Sequence, residues 1–545
     1  MSIEWMGLNT GLSALQAFQQ ALNVVQHNVA NANTDGYTVQ RADLTAVAPA
    51  TYAPFGGIGR GVSLSRVEQL RDTFLDANIR KETQTAGKWE AQSNIYSQIE
   101  TVFGEPGTKA FASVMGKFWS SWQNVSNDPT NMSFRSTLQA DASTMAASFN
   151  QIDSRLKNLQ TYTNDEIKSN VNTVNSAARE IASLNKQINA VEYQGVPAND
   201  LRDQRNLLID KINKILPVTV TENTNGTANV YVNGEALVMT TRSQEILTVP
   251  RAGDAAGLVD LKWKDAGAII TPKDGTIAGL LEMRDTVIPR DISQMNTLAS
   301  GIISKVNEVH RSGMGLDGSS SITGSKTFTG TLAANGSFQL NGTNINVFAG
   351  DDLNTITQRV NAEEATTGVH ASVANNKLVF GLTATDGRSI DVTADPDSVM
   401  LNLGIVNNFF AGTGAGDIAV DPVIKGDLTK IAASGTGAPG DTTISDAIMN
   451  LKDANNIQSD SMTFDGYYNA VIADLGVHTE EATNANTNQG VVLDQLEQMR
   501  QSVSGVSVDE ELTKMMQYQR GYEAAAKFIN IVDGLLDTLI NGIKR

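Results

Sequence analysis

Apolar side chains recur every three or four residues at both ends of the chain. Residues at such spacings share one face of an α-helix, so the pattern predicts an amphipathic helix at each end. The N-terminal stripe consists of Leu8, Leu12, Leu15, Phe18, Leu22, Val25 and Val29. The C-terminal stripe consists of Val508, Leu512, Met515, Tyr522, Ile529, Leu536 and Ile540. Ser507 and Glu510 have the spacing of a capping box and place the start of the last helix.

A run of small and amide residues follows the first helix. This turn contains Ala30, Asn31, Asn33, Thr34, Gly36 and Tyr37. Asn33 and Gly36 are the residues best able to take a positive φ, and the amide side chains can satisfy the last carbonyls of the helix. The sequence therefore predicts a chain reversal here, followed by an extended segment that includes "FGGIGRGVSL".

The middle of the chain alternates between helical and strand patterns. Residues 72–191 are mostly helical, with a stutter around Thr163, and Asn199 is placed to cap the next helix. Residues 217–274 alternate as β-strands, and helix resumes at Ile277.

The later part of the chain contains a second β-rich stretch. Residues 313–440 are rich in Gly, Thr, Asn and Asp with short apolar runs, which predicts an inserted β-rich domain. Helix is expected again over residues 443–503, with an interruption near "ATNANTNQG".

These patterns together predict an α+β, multidomain protein. Its terminal helices pair like a coiled coil, its body is an elongated helical bundle, and its inserted domains are β-rich. The predicted division is an assembly-dependent terminal helical domain (1–45 with 505–545), a helical body (46–216 with 276–324 and 428–504), a small β-rich subdomain (217–275) and an outer β-rich insertion (325–427).

Composition narrows the possible environments and partners. The 545 residues include no cysteine, which excludes disulfides and thiolate metal sites. The formal charge is −18 and no cluster of Lys and Arg occurs, which argues against nucleic acid as a partner. The first basic residue is Arg41, so the positive start of a cleavable signal peptide is missing, and no run of about 18 apolar residues occurs. These features fit either a cytosolic protein or one exported without a cleaved signal.

Candidate catalytic and cofactor motifs are weak. The four histidines have no metal-ligand spacing, and the acid pairs Asp351–Asp352 and Glu363–Glu364 are typical of a solvated surface. A GxGxxG match at residues 435–440 lacks a preceding strand and is followed by Asp441, which would oppose a phosphate. Neither a P-loop nor a G-x-S-x-G elbow occurs. We therefore expect no enzymatic activity, no catalytic residues, no metal and no cofactor.

Two terminal helices alone would hold together only marginally. Their apolar side chains offer about 2 kcal/mol each when fully buried, whereas fixing each backbone residue costs about 1–2 kcal/mol. They must therefore dock on a larger body or pair and stack against neighbouring subunits. Glutamine and alanine occur among the apolar positions of both stripes, which favours the second arrangement. A helix interface with such residues has a narrow apolar face and is specific for its partner.

At this point the motifs resemble a known family. "NVANANTDGYTVQ" resembles the signature of bacterial flagellar rod and hook proteins, in which an N-terminal helix ends in Ala-Asn-x-x-Thr-x-Gly-Tyr. "GIGRGVSLSRVEQLRDTFLDANIR" is similar to the extended segment that follows in that family. Residues 197–213, 279–289 and 502–540 resemble the hook-associated protein 1 family of the hook–filament junction. Residues 325–427 lie outside the resemblance.

The resemblance implies a structural role in the bacterial flagellum. Copies would form a ring on the hook and connect it to the filament through the next hook-associated protein, which is flagellin-like. The implied partners are other copies of the chain, the hook protein, that next protein, a cytosolic chaperone holding the C-terminal helix, and the flagellar type III export apparatus. The implied location is extracellular, at the hook–filament junction, after secretion without a cleaved signal peptide.

Other functions stay open beside this one. The insertion could make the chain a surface adhesin that binds glycans, or the chain could be a hydrolase carried on a flagellar scaffold. A flagellin-type filament protein is a further alternative, although the Ala-Asn-x-x-Thr-x-Gly-Tyr turn argues against it.

Overall fold

Long helices dominate the structure, a computed structural model, and several small sheets accompany them. It describes residues 3–48, 59–104, 110–316, 321–324, 326–383, 390, 392–394, 397, 399–405, 408–438, 440–457 and 459–542. The predicted α+β, multidomain class is confirmed. Part of the predicted extended segment "FGGIGRGVSL" lies outside the described residues.

The α-helices of the described chain range from single turns to very long rods. They are α1 (Ile3–Ala30), α2 (Thr73–Phe103), α3 (Phe111–Asn127), α4 (Met132–Glu192), α5 (Asn199–Ile215), α6 (Gly275–Glu282), α7 (Ile288–Arg311), α8 (Leu353–Ala362), α9 (Glu364–Thr367), α10 (Val399–Leu403), α11 (Pro422–Gly426), α12 (Thr443–Asn450), α13 (Phe464–Ser504) and α14 (Val508–Gly542). A π-helical segment, Met283–Val287, joins α6 to α7. A 3₁₀ turn, Leu428–Lys430, follows α11.

The strands are short and pair antiparallel. They are β1 (Gln40–Ala46), β2 (Val62–Gln69), β3 (Thr219–Glu222), β4 (Ala228–Val232), β5 (Glu235–Met239), β6 (Arg242–Ser243), β7 (Ile246–Pro250), β8 (Val259–Trp263), β9 (Ser321–Thr323), β10 (Gly336–Leu340), β11 (Thr343–Val347), β12 (Val369–Ala374), β13 (Lys377–Leu382), β14 (Val392–Ala394), β15 (Phe410–Ala411) and β16 (Ala419–Val420). The strand orders are β1-β2, β3-β4-β5-β6, β7-β8, β11-β10-β14, β12-β13-β9 and β15-β16. In the β1–β2 ribbon, Gln40 faces Gln69 and Ala46 faces Val62.

The chain forms two units, each assembled from separate stretches. The first comprises Met1–Asn94, Thr161–Met283 and Glu481–Arg545, and the second comprises Ile95–Gln160 and Arg284–Glu480. Helices α2, α4 and α13 contribute residues to both units. The finer four-part division of the sequence stays a prediction.

Two clusters form the core of the second unit. An aromatic cluster joins α3 to residues in the last part of the insertion: the rings of Trp122 and Phe409 lie 5.1 Å apart, and those of Phe118 and Phe410 lie 5.5 Å apart. His310 lies in this cluster, and its Nε2 accepts a hydrogen bond from the backbone N–H of Ala432. The insertion has its own core of buried residues from Phe338 to Ile405, built from both strands and helices.

Two local predictions were wrong, and short helices in the insertion were missed. Helix α13 runs without interruption through "ATNANTNQG", and the break in the helical pattern lies instead between α12 and α13. Asn199 does not cap α5, because the N-cap position is Ala198 and the Asn199 side chain donates to the carbonyl of Val67 and the side-chain oxygen of Gln40. The insertion also contains helices α8, α9, α10 and α11, which its composition did not predict, since short helices of about one to three turns leave little periodic signal.

Candidate functional site: the paired terminal helices

Helices α1 and α14 pack against each other in opposite directions within the first unit. A β-carbon added to Gly11 would lie 2.6 Å from Cγ1 of Ile529, and one added to Gly521 would lie 2.8 Å from Cζ of Phe18. A β-carbon on Gly7 would lie 3.6 Å from Val532. A glycine on each helix therefore makes room for a large side chain of the other, and the two backbones approach closely along this seam.

Small side chains fill the buried face of α1. Ala17, Ala21 and Val25 are almost fully buried, as is Ala525 of α14. Thr10 and Ser13, on a neighbouring face of α1, lie against Gly61 at the start of the β1–β2 ribbon. The seam therefore resembles the close packing of Gly- and Ala-rich helices more than a leucine zipper.

The predicted N-terminal stripe lies mainly outside the seam. Leu12 is 47% exposed, and Leu8, Leu15, Leu22 and Val29 are only half-buried. Phe18 is half-buried against Gly521, and Val25 is the one member of this stripe that is fully buried. The seam thus takes few of the predicted residues and leaves a row of leucines available.

The predicted C-terminal stripe divides in a similar way. Val508 and Leu512 are exposed, while Met515, Tyr522 and Leu536 are half-buried. Ile529 takes part in the seam through its contact with Gly11. Ser507 Oγ accepts from the N–H of Glu510 at 3.4 Å, as the capping pattern predicted. The side chain of Ile540 lies outside the described residues.

Asn28 stabilises the antiparallel pair of α1 and α14 (the hairpin) at the end that lies beside the turn. Its Nδ2 donates to the carbonyl of Gln40 and to Oε2 of Glu511, both at 2.8 Å. Its Oδ1 accepts from the Tyr37 hydroxyl at 2.7 Å and from the Gln40 N–H at 3.0 Å. A carboxamide has two donor hydrogens and two acceptor lone pairs, so this buried side chain is fully satisfied. It joins α1, the turn, β1 and α14 in one network.

The turn itself reverses the chain as predicted, with one exception. Gly36 has a φ of +76°, whereas Asn33 does not take a positive φ. Asn31 Nδ2 donates to the carbonyl of His27, which satisfies one of the last carbonyls of α1. The Tyr37 hydroxyl also lies 3.0 Å from Nδ1 of His27, and burial is the main cause that raises the pKa of this phenol. Ala30 and Thr34 lie on the exposed side of the turn.

Substituting Gly36 tests how much the reversal depends on this backbone conformation. Gly36→Val is expected to cost about 1–3 kcal/mol because a β-branched residue is strained at positive φ. Its β-carbon would also lie 3.3 Å from that of Leu207. We expect self-assembly of the variant, measured by sedimentation, to fall more than the stability of the monomer. Gly36→Asn, which tolerates this conformation, is the control; equal losses of stability and self-assembly would make Gly36 only a helix cap.

Asp203 of α5 fastens the chain directly after the turn. Its Oδ2 accepts from the Thr38 N–H at 3.0 Å and its Oδ1 from the Thr38 hydroxyl at 2.8 Å. Arg71 approaches this carboxylate at 3.9 Å. Burial raises the pKa of Asp203 to about 6, and the bonds from Thr38 partly oppose that rise. The turn is thereby tied to the helical part of the first unit.

This carboxyl gives a pH prediction. Because the pKa of Asp203 is higher in the folded chain, its contribution to stability is full below about pH 4 and is lost as pH rises through about 6. Between pH 4 and 7.5 the unsubstituted chain is therefore expected to lose on the order of 2–3 kcal/mol of unfolding free energy through Asp203. Asp203→Asn is expected not to show this loss. Urea titrations across that range measure the difference, with exposed Asp35→Asn as control. Parallel pH profiles of the unsubstituted chain and Asp203→Asn would contradict the prediction.

Sequence reasoning missed the polar residues that hold the site. Asn28, Glu511, Thr38 and Asp203 are buried, yet they belong to no apolar stripe. The glycines of the seam were missed for a related reason. In a sequence pattern a glycine indicates the interruption of a helix, and not a position where a second helix packs closely. One signal in the sequence could have indicated a buried polar residue: the acidic Glu511 lies next to the apolar Leu512 near the start of α14.

The other candidate motifs serve as local structure. In the GxGxxG loop, the carboxylate of Asp441 accepts from the N–H groups of Gly435 and Thr436, both at 2.9 Å. The chain thus supplies its own anion to this loop, and hydrogen bonds, chiefly from Thr443, hold the pKa of Asp441 well below its usual range. Asp351 pairs with Arg359, and Asp352 caps α8. No group of residues that could hold a metal ion occurs in the described part of the chain.

Comparison with known domain families matches three parts of the chain. Residues 96–328 match the family "Flagellar hook-associated protein FlgK helical domain". Residues 8–38 match "Flagella basal body rod protein", and residues 497–542 match "Flagellar basal body rod FlgEFG protein C-terminal". The last two matches cover most of α1 and α14.

Full-length relatives and a solved structure agree with these matches. The chain is 30% identical over 557 residues to flagellar hook-associated protein 1 of Bacillus subtilis, covering 100% of this chain and 99% of the relative. It is 27% identical to the protein of the same name from Escherichia coli, covering 98% of this chain and 99% of the relative. The flagellar hook junction protein FlgK from Burkholderia pseudomallei has a similar fold, with a TM-score of 0.51 at 16% identity, covering 78% of this chain and 100% of that one. Among the described helices, none is long and apolar enough to cross a membrane.

Proposed function

The chain belongs to the flagellar hook-associated protein 1 family, and from that membership we propose that it is the ring-forming adaptor that joins hook to filament. Its role is structural, as a component of the bacterial flagellum. The observation that carries the adaptor proposal is the half-exposed leucine row of α1, on a helix whose seam with α14 is already filled by small residues. Apolar surface in such a row favours burial against a neighbour.

The proposed partners lie on both sides of the ring. Neighbouring copies bind laterally, the hook protein binds on one face, and the next hook-associated protein binds on the other. Before assembly, the flagellar type III apparatus exports the chain, and a cytosolic chaperone holds α14 by accepting its apolar face in a groove. The working location is then the extracellular hook–filament junction.

A hook-binding assay tests the adaptor role. The full chain is added to purified hooks that lack junction proteins, and bound chain is measured by co-sedimentation and by electron microscopy of hook ends. We expect saturable binding confined to the distal end of the hook, followed by binding of the next hook-associated protein. Binding along the whole hook, or none, would contradict the proposal.

We also propose that the terminal helices gain their full order on assembly. Isolated helices are marginal in water, and the apolar rows of α1 and α14 are only partly covered in the single chain. Amide hydrogen exchange of residues 8–30 and 510–540 is expected to be fast in the monomer and slow in hook-bound protein. Strong protection of both segments in the monomer would contradict this proposal.

A further inference from the structure

The C-terminal helix carries a second apolar face that the periodic stripe did not include. Phe528, Ile531 and Leu535 are 43%, 62% and 65% exposed, and their spacing of three and four residues places them side by side on α14. Neighbouring exposed apolar side chains on one helix face favour burial against a partner. We propose that the leucine row of a second copy, Leu8, Leu12 and Leu15, covers it.

The positions of the two faces along the hairpin match. The seam pairs Gly7 with Val532, Gly11 with Ile529, and Phe18 with Gly521. In this antiparallel register, Leu8 lies level with Ile531, and Leu12 lies level with Phe528. Both apolar faces therefore occupy the same stretch of the hairpin, near its free end, and a neighbouring copy can bring them together without an axial shift.

The two faces also point in opposite directions. With about 100° of rotation per residue, the leucine row lies about a quarter-turn from the seam residues of α1. The Phe528 face lies about a quarter-turn from the seam residues of α14, in the opposite sense of rotation along the chain. Because the helices run antiparallel, these rotations place the two faces on opposite sides of the plane through both helix axes. One chain therefore cannot bring its own faces together.

Two different faces on opposite sides define a head-to-tail interface. Each copy offers its leucine row to one neighbour and its Phe528 face to the other, so that repetition closes into a ring when the rotation between copies permits. The near absence of charge on α1 fits this contact, because no Lys or Arg occurs before Arg41. This inference rests on the proposed adaptor function and adds which surfaces meet between copies.

Cysteine cross-linking tests the pairing directly, because the chain has no cysteine of its own. Leu8, Leu12 and Leu15 are replaced singly by cysteine, as are Phe528, Ile531 and Leu535, and variants from the two sets are mixed on purified hooks under oxidising conditions. This panel covers axial offsets of about one helical turn in either direction. We expect covalent dimers in mixtures such as Leu12→Cys with Phe528→Cys, at least tenfold above either variant alone. The intrachain control, Ala14→Cys with Ala525→Cys, is expected to form a bond across the seam without a dimer.

The outcomes separate this inference from the adaptor role. Bound protein that gives no dimer in any mixture overturns the inference and leaves the adaptor role standing. Strong dimers from Leu12→Cys alone overturn it as well, because they mean that identical faces meet. A failure of the unsubstituted chain to bind hooks overturns the adaptor role itself, and the pairing with it.

Discussion

Replacing Asn28 with leucine is expected to weaken hook binding by at least about 100-fold. Leucine has the same number of side-chain heavy atoms but no hydrogen-bonding groups, so Glu511 loses a buried donor, and the Gln40 N–H and the Tyr37 hydroxyl lose their shared acceptor. Each buried group left unsatisfied costs about 1–3 kcal/mol, and two of them already correspond to roughly this loss of affinity. Co-sedimentation with purified hooks measures it.

The control for this substitution lies one and a half turns earlier on the same helix. Asn23→Leu makes the same chemical change at an exposed position and is expected to bind hooks normally. Far-ultraviolet circular dichroism of Asn28→Leu is expected to retain the helical signal of the second unit, since that unit contains none of these residues. Normal hook binding by Asn28→Leu would show that the network is dispensable.

Leu512→Asp is expected to abolish ring assembly without unfolding the monomer. Leu512 is 44% exposed in the single chain, so the monomer loses little when the side chain becomes charged. In a ring that covers this position, a carboxylate would be buried without a partner, at a cost of several kcal/mol. The measurement is the number of copies per hook end by electron microscopy, together with the thermal unfolding of the free chain.

A neighbouring position gives a matched control for this charge. Thr513→Asp adds the same carboxylate one residue later, in the same first turns of α14, and Thr513 is exposed on a different face of the helix. Both variants place a carboxylate at nearly the same distance from the start of α14, so their interaction with the helix dipole is similar. A difference in ring assembly between them therefore shows which face of α14 is buried in the ring. A normal ring with Leu512→Asp would remove that residue from the assembly surface.

The sequence predicted the helices better than it predicted what they touch. Periodicity located α1 and α14 because apolar side chains repeat on one face, but part of that face, including Leu12 and Leu512, stays exposed. The seam consists of Gly11, Gly521 and small alanines, whose contribution is close backbone approach and not apolar area. Their role depends on residues more than 500 positions away, which no local pattern contains.

The polar network was beyond sequence reasoning for the same physical reason. The complete set of four hydrogen bonds at Asn28 forms only when the turn, β1 and α14 all reach it. The GxGxxG loop shows the opposite case, since Asp441 lies within a few residues of the amides it occupies. There the residue that argued against a bound phosphate in the sequence is the one whose carboxylate accepts from the loop amides.

The contact between Asn28 and Glu511 joins residues 483 positions apart, so the hairpin is made from the two extremities of the chain. Any process that delivers the polypeptide from one end to the other, such as ribosomal synthesis or threading through a narrow pore, releases these extremities at widely separated times. Closing so long a loop also slows folding, because the entropy of loop closure is lost before the contacts form. Pairing therefore requires a chain that carries both α1 and α14. Under the proposed function, a polypeptide that has released only one of these helices cannot yet offer the assembly surface to a neighbouring copy.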